Sequence, residues 1–217
     1  LGWISVGQDI KIVKDISLAA TSVFGALIAI FVGTSLIYKE IDKRTLYTIL
    51  AQPMRRHEFI LGKYLGLTAL LGVVTVVMTG LAGVYVLLLG GALEASYFLA
   101  VILIFMKLLL ITAFAILMSS LSSPILGAVI VFSAYVFGHA TGVFIDLPKQ
   151  FDDTFAKQAL EWIYYFIPNL SNFDIRAQAA NDVPVSVAYV VWAAMYGFGY
   201  TVVLLILASL AFEGKDV

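Results

Sequence analysis

The chain has 217 residues, of which 62% are hydrophobic and 12% charged, with a formal net charge of -1 and no cysteine. Soluble domains carry about 25% charged residues, and a soluble globule must cover itself with polar groups that this chain lacks. A water-soluble domain is excluded, no basic surface invites nucleic acid, and the missing thiol removes disulfides, thiolate metal sites and cysteine nucleophiles.

A helix needs roughly 20 apolar residues to cross about 30 Å of hydrocarbon. Five blocks reach that length, at 16–38, 61–89, 97–121, 125–147 and 185–212. None alternates apolar and polar residues as the strands of a membrane barrel do. The expected fold class is therefore all-α, a polytopic transmembrane helical bundle forming one domain over 1–217.

Residues 1–15 read as a mixed, glycine-containing outer loop, not as a signal peptide. The loop after the first block follows, and it sets the orientation. Lys39, Lys43, Arg44, Arg55, Arg56 and Lys63 account for six of the thirteen basic residues, and the positive-inside rule puts that loop in the cytoplasm. Alternation then sends 90–96 outside, 119–124 inside and 148–184 outside, with the tail from 213 inside. The start of the chain falls outside, so a sixth helix upstream of the five spans is expected in the native chain.

Within the cytoplasmic stretch 39–60, Ile41, Thr45, Leu46, Thr48, Ile49 and Leu50 recur at helical spacing on an amphipathic face. Pro53 ends that helix, and 55–59 turns the chain into the second span. A short helix with one apolar face and a basic flank either rests on anionic headgroups or fits a groove on a cytoplasmic partner.

The second and fifth blocks exceed the membrane thickness, so tilt or a break is expected. Gly72, Gly80 and Gly83 are the candidate breaks in the second block, and Gly197 and Gly199 in the fifth. In the third block Lys107 is the unusual residue, since a mid-membrane charge costs about 2.5 to 3.5 kcal/mol. It is either a contact on a translocation pathway, for example for an anionic group, or a lysine satisfied by carbonyls or by a partner such as Glu94 or Asp146. In the segment 148–184, Asp152 and Asp153 favour a helix start. Phe155, Ala159, Trp162, Ile163 and Phe166 then give an outer interfacial helix closed by Pro168. His57 and His139, the two histidines, fall on opposite sides of the membrane by this topology.

An intramembrane enzyme would need a Ser-His, paired-carboxylate or zinc constellation inside the spans, and Lys107 is the lone ionisable residue well within a block. A passive channel would repeat polar residues along one helix face, whereas a scaffold would use the same docking loop without ATP. These two readings stay open as the alternative to a transporter.

The run Glu40, Thr45-Leu46-Tyr47, Ile49-Leu50, Pro53, Arg56, Phe59 and Gly62-Lys63 resembles the signature of ABC-2 type transporter permeases. The outer Ile167-Pro168-Asn169-Leu170 with Phe173-Asp174 resembles a subgroup related to the permease of the copper-site maturation transporter for nitrous oxide reductase. The resemblance implies a six-helix protomer that dimerises with a second copy in the inner (cytoplasmic) membrane and works as an exporter. Each protomer's first cytoplasmic loop would be a coupling helix on one of two ABC ATPase subunits. On that analogy Leu46 and Leu50 fill the ATPase groove, with Ile49, Pro53 and Lys63 in the same coupling stretch. Arg55, Arg56 and Glu58 make polar contacts, Glu40 caps the loop's base, and Gly62 lets the helix pack closely at the membrane entry. The chain itself would hold no cofactor and no catalytic site, because Gly62-Lys63-Tyr64 lacks the other elements of a phosphate-cradling loop. ATP and Mg would sit on the partner ATPase. An accessory protein on the outer segment is a further candidate partner, beside the lipid bilayer.

Overall fold

The computed structural model describes residues 2–38, 56–140 and 168–213. Among these the chain forms six α-helices and one 3-10 turn, with no strand. The helices are α1 (Gly2–Leu36), α2 (Arg56–Leu88), α3 (Ala95–Leu121), α4 (Pro124–His139), α5 (Arg176–Ala180) and α6 (Val187–Glu213), with the 3-10 turn at Leu170–Phe173. Four of them, α1, α2, α3 and α6, are long and apolar enough to cross a membrane. The chain is thus a multi-pass helical membrane bundle.

α3 is the axis of the bundle. It packs against α1, α2, α4, α5, α6 and the 3-10 turn, and it is the most buried of the four long spans. Small residues allow the closest approach. A Cβ built on Gly33 would lie 2.6 Å from the Cβ of Ala115, so α1 and α3 touch there almost backbone to backbone. The faces of α2 and α6 turned away from α3 carry Leu65, Val73, Val76, Leu81, Trp192 and Phe198 exposed, as a lipid-facing surface requires.

The turn between α2 and α3 is closed by local chemistry. Gly90 adopts φ +78, the left-handed conformation that glycine tolerates best. The Gly91 N–H then donates to the Val86 carbonyl and the Gly90 N–H to that of Leu87, both at 3.0 Å. This pair of bonds ends the helix in a Schellman arrangement. α4 starts with Pro124 in its first turn after an extended Ser123, where a missing N–H costs nothing.

Two expectations are corrected. The stretch 1–15, read as an outer loop, is helical from Gly2 onward and continuous with the first span. α2 and α6 run unbroken through Gly72, Gly80, Gly83, Gly197 and Gly199, and α2, at about 50 Å by helical rise, also takes in the 56–59 stretch assigned to a turn. The outer segment, from Pro168 on, folds inward: Leu170, Phe173, Ile175, Ala179 and Ala180 are buried in the core. The fourth block is helical as far as His139 among the described residues. That helix measures about 24 Å, short of a full crossing.

Candidate functional site

Two assemblies stand out, one at the end of the bundle that carries the 39–55 stretch and one half-way along α3. At the loop end, a small core joins Ile37 of the α1 exit, Ile60 and Tyr64 of α2, Ala113, Ile116 and Leu117 of α3, and Ala208 and Phe212 of α6. The chain before the loop and the chain after it are therefore anchored in one cluster. Phe59 stacks on Phe212 with ring centroids 5.7 Å apart, which ties the start of α2 to the end of α6, and the Lys63 ammonium lies 5.4 Å over the Phe59 ring. Such a cation–π contact contributes about 0.5–1 kcal/mol at an exposed site.

Of the residues assigned to ATPase coupling, Glu40, Leu46, Ile49, Leu50, Pro53 and Arg55 lie outside the described residues. Arg56 opens α2. Glu58 and Gly62 are exposed on its first turns, while Lys63 is half-buried. A Cβ on Gly62 would meet nothing within 4 Å, so among the described residues no close helix approach depends on this glycine. The expected interfacial helix begun by Asp152 and Asp153 also lies outside the described residues.

Half-way along α3, Lys107 is 1% exposed. Its ammonium donates to the Ser22 hydroxyl of α1 at 2.5 Å and lies 3.3 Å from Nε2 of His139 at the end of α4. Neither partner is the one the sequence suggested: Glu94 is exposed at the N-cap of α3, and residue 146 lies outside the described residues. His139 Nδ1 is 2.9 Å from the Tyr135 carbonyl, and the rings of Tyr135 and His139 pack at 4.5 Å. The two histidines are thus not equivalent. His57 is exposed at the loop end, whereas His139 reaches the depth of Lys107.

The inward-folded segment completes this assembly. Ser171 donates to the His139 carbonyl at 3.1 Å, the Asn169 N–H to the Tyr196 hydroxyl at 2.9 Å, and the Asn169 side chain accepts from the Ser171 N–H at 3.0 Å. Phe173 fills the groove over Gly197, where a Cβ would come within 2.8 Å of its ring. Asp174 and Arg176 form a two-pronged pair, with Nε at 2.7 Å and Nη2 at 2.6 Å from the carboxylate oxygens, and both act electrostatically on Lys107 and His139. Burial alone would raise the Asp174 carboxyl, but the Arg176 hydrogen bonds and charge outweigh it and hold the group below its ordinary value. The same bonds hold the guanidinium above its ordinary value.

A second buried cation lies toward the start of α1. Lys14 is 1% exposed and pairs with Asp182 at 2.6 Å, while Lys11 donates to Asn181 at 3.2 Å. Asp182 holds φ +56, a left-handed conformation in which Asp is enriched among non-glycine residues. Sequence reading missed Ser22, Tyr135, His139 and the Lys14–Asp182 pair. Buried lysine is the one signal that points to them, because a cation out of water needs partners.

The arrangement is a membrane bundle with a polar centre and an anchored loop. No curated protein matches the chain. Residues 5–217 match the family described as ABC-2 family transporter protein. The chain therefore belongs to the ABC-2 transporter family, as the membrane permease subunit of an ABC transporter, a kind of subunit that associates with an ABC ATPase partner.

Proposed function

We propose that this permease subunit is part of an exporter of the inner membrane, acting as a dimer with two ATPase subunits. ATP and Mg are bound and hydrolysed on those separate chains, and the 39–60 stretch is the docking element. The observation that carries the docking role is the shared core at the loop end. Ile37 before the loop and Ile60 and Tyr64 after it pack in one cluster with the ends of α3 and α6, so force on the loop reaches both of those helices. A ligand shifts an equilibrium by as much as its affinities for the two states differ, so the docking element must stay gripped in both states of the ATPase. Leu46, Ile49 and Leu50 supply the apolar anchor for that grip, and Arg55, Arg56 and Glu58 the polar rim.

Lys107 is proposed as a contact on the translocation pathway for an anionic group. Its support is its position: it is drawn together with Ser22 and His139 from three different helices, so relative movement of α1, α3 and α4 changes its surroundings. Within the family the chain is proposed to belong to the subgroup related to the permease of the nitrous oxide reductase copper-site maturation transporter. The support is the 167–174 run, whose Leu170 and Phe173 are core residues.

The test is Leu50→Asp in the full chain. The variant inserts into the membrane at normal yield and loses its ATPase on affinity purification. Retention of the ATPase at normal yield rules out the coupling role of this face.

A further inference from the structure

The hydrogen-bond ladder of α1 stops where the chain leaves the bundle. Leu36 is the last residue of α1, Ile37 is a turn residue and Tyr38 is helical again. The amides of Ile37 and Tyr38 turn to a side chain on another helix. Ser119 Oγ, near the end of α3, accepts from the Ile37 N–H at 3.0 Å and from the Tyr38 N–H at 3.2 Å. A serine oxygen offers two lone pairs, and both are used here. The acceptor comes from a residue 82 positions away in sequence. Ile37 and Ser119 are both 0% exposed, so water does not replace the hydroxyl if it is lost.

The surroundings make this joint stiff. One turn back, Gly33 lies against Ala115 with no room for a Cβ, and Thr34 spends its own hydroxyl on the Ile30 carbonyl at 2.8 Å. The neighbouring Ser120 is equally buried, yet its hydroxyl donates to Leu117 within its own helix at 2.7 Å. Two adjacent serines on α3 thus have distinct roles. One closes its own helix, and the other holds the exit of α1.

We propose that Ser119 is a positioning residue for the ATPase-docking stretch: its hydroxyl fixes the bend at Ile37–Tyr38 and passes movement of the loop onto α3. Lys107 lies twelve residues back along that helix, roughly 18 Å by helical rise, so one rigid element connects the joint to the polar centre. This inference rests on the docking role proposed above. Without the acceptor, the two amides turn back to the Gly33 and Thr34 carbonyls, α1 lengthens, and the chain leaves the bundle in another direction.

The test compares Ser119→Ala, Ser119→Cys and Ser120→Ala in the full chain, purified with its ATPase in lipid nanodiscs. Cysteine keeps the size of the side chain but accepts hydrogen bonds weakly, so it carries the comparison if the alanine variant folds poorly. Two quantities are read: amide exchange of the peptide covering 37–38, and ATP–Mg turnover per complex. Both Ser119 variants keep the ATPase bound, change exchange at 37–38 by about tenfold, and lower turnover several-fold. Ser120→Ala matches the wild type in both. Equal behaviour of the Ser119 and Ser120 variants overturns the role of Ser119 and leaves the docking role standing. A wild-type preparation without ATPase removes the docking role, and the function of Ser119 falls with it.

Discussion

Lys107 and His139 meet across the bundle with Nζ 3.3 Å from Nε2, and the ring's other nitrogen fixes what that contact is. Nδ1 lies 2.9 Å from the Tyr135 carbonyl, which can only accept, so Nδ1 carries the hydrogen and Nε2 offers its lone pair to the ammonium. A ring protonated on both nitrogens would face the ammonium with a second N–H. An ammonium on Lys107 therefore goes with a histidine whose Nε2 is unprotonated. Removing the lysine should not harm the fold. Lys107→Met relieves an insertion cost of about 2.5 to 3.5 kcal/mol. It also leaves the Ser22 hydroxyl and His139 Nε2 without their partner, a loss of about 1–3 kcal/mol for a buried polar group, so the two effects roughly cancel. The expected result is a nearly unchanged unfolding temperature in detergent together with failure to complement a strain lacking the permease. A variant that complements fully would make Lys107 a packing residue.

The Asp174–Arg176 pair sets an acid limit on the inward-folded segment. The Asp174 carboxyl is held below its ordinary value, so its stabilising contribution is fully present above the unfolded value of about 3.9. That contribution is lost as pH falls through the lower folded value. Between pH 5 and 8 the segment's stability should not depend on this group. Asp174→Asn loses the contribution at neutral pH, by about 1 kcal/mol for a pair that keeps some contact with water. Thermal unfolding of both proteins at pH 7 and at a pH well below the ordinary carboxylate value checks this: the difference between them is present at pH 7 and shrinks at the acid value.

Glycine substitutions separate contact from open space. Gly33→Ala drives a Cβ to 2.6 Å from Ala115, and Gly138→Ala drives one to 2.9 Å from the Pro168 carbonyl oxygen. Each should cost about 1–3 kcal/mol as overpacking. Gly62→Ala meets nothing within 4 Å and should be neutral or stabilising by up to about 1 kcal/mol, because alanine is the better helix former. Denaturation in mixed detergent reads all three.

At the start of α1, Asp182 does two things at once: it pairs with Lys14 at 2.6 Å and holds φ +56. Asp182→Gly keeps the backbone comfortable and removes only the carboxylate, whereas Asp182→Ala adds the left-handed penalty of about 1 kcal/mol. Both should destabilise the protein, alanine more. Equal losses would mean that the backbone conformation relaxes freely.

The spans were legible because hydrophobic length is a local property, and the family signature of 40–63 because its spacing is local too. The rest depended on distance. Residues 1–15 read as a loop because Lys11, Lys14 and Asp15 interrupt the apolar run. Lys14 is nevertheless compatible with a buried helix because its partner Asp182 stands 168 positions away. The glycines of α2 and α6 suggested breaks, yet Gly72 faces Phe105 and Gly197 faces Phe173. At Gly197 the missing Cβ makes room for the ring, at Gly72 a Cβ would sit in ordinary contact with it, and neither glycine ends its helix. Lys107 was recognised as costly, but Ser22 and His139 carry no signal of their own until the fold brings α1 and α4 against α3. Ser119 was equally silent, a serine beside another serine, distinguished by what its oxygen accepts.

On the proposed reading this permease works on an ATPase held by its 39–60 stretch. Affinity purification of the full-length chain from its native membrane in mild detergent, with mass spectrometry of the co-eluting proteins, tests this directly. An ABC ATPase should elute in about equal amount with a dimer of this chain. Elution of the chain with no ATPase, in a detergent that preserves its helical fold, would contradict this reading and return the 39–60 stretch to a helix lying on the lipid surface.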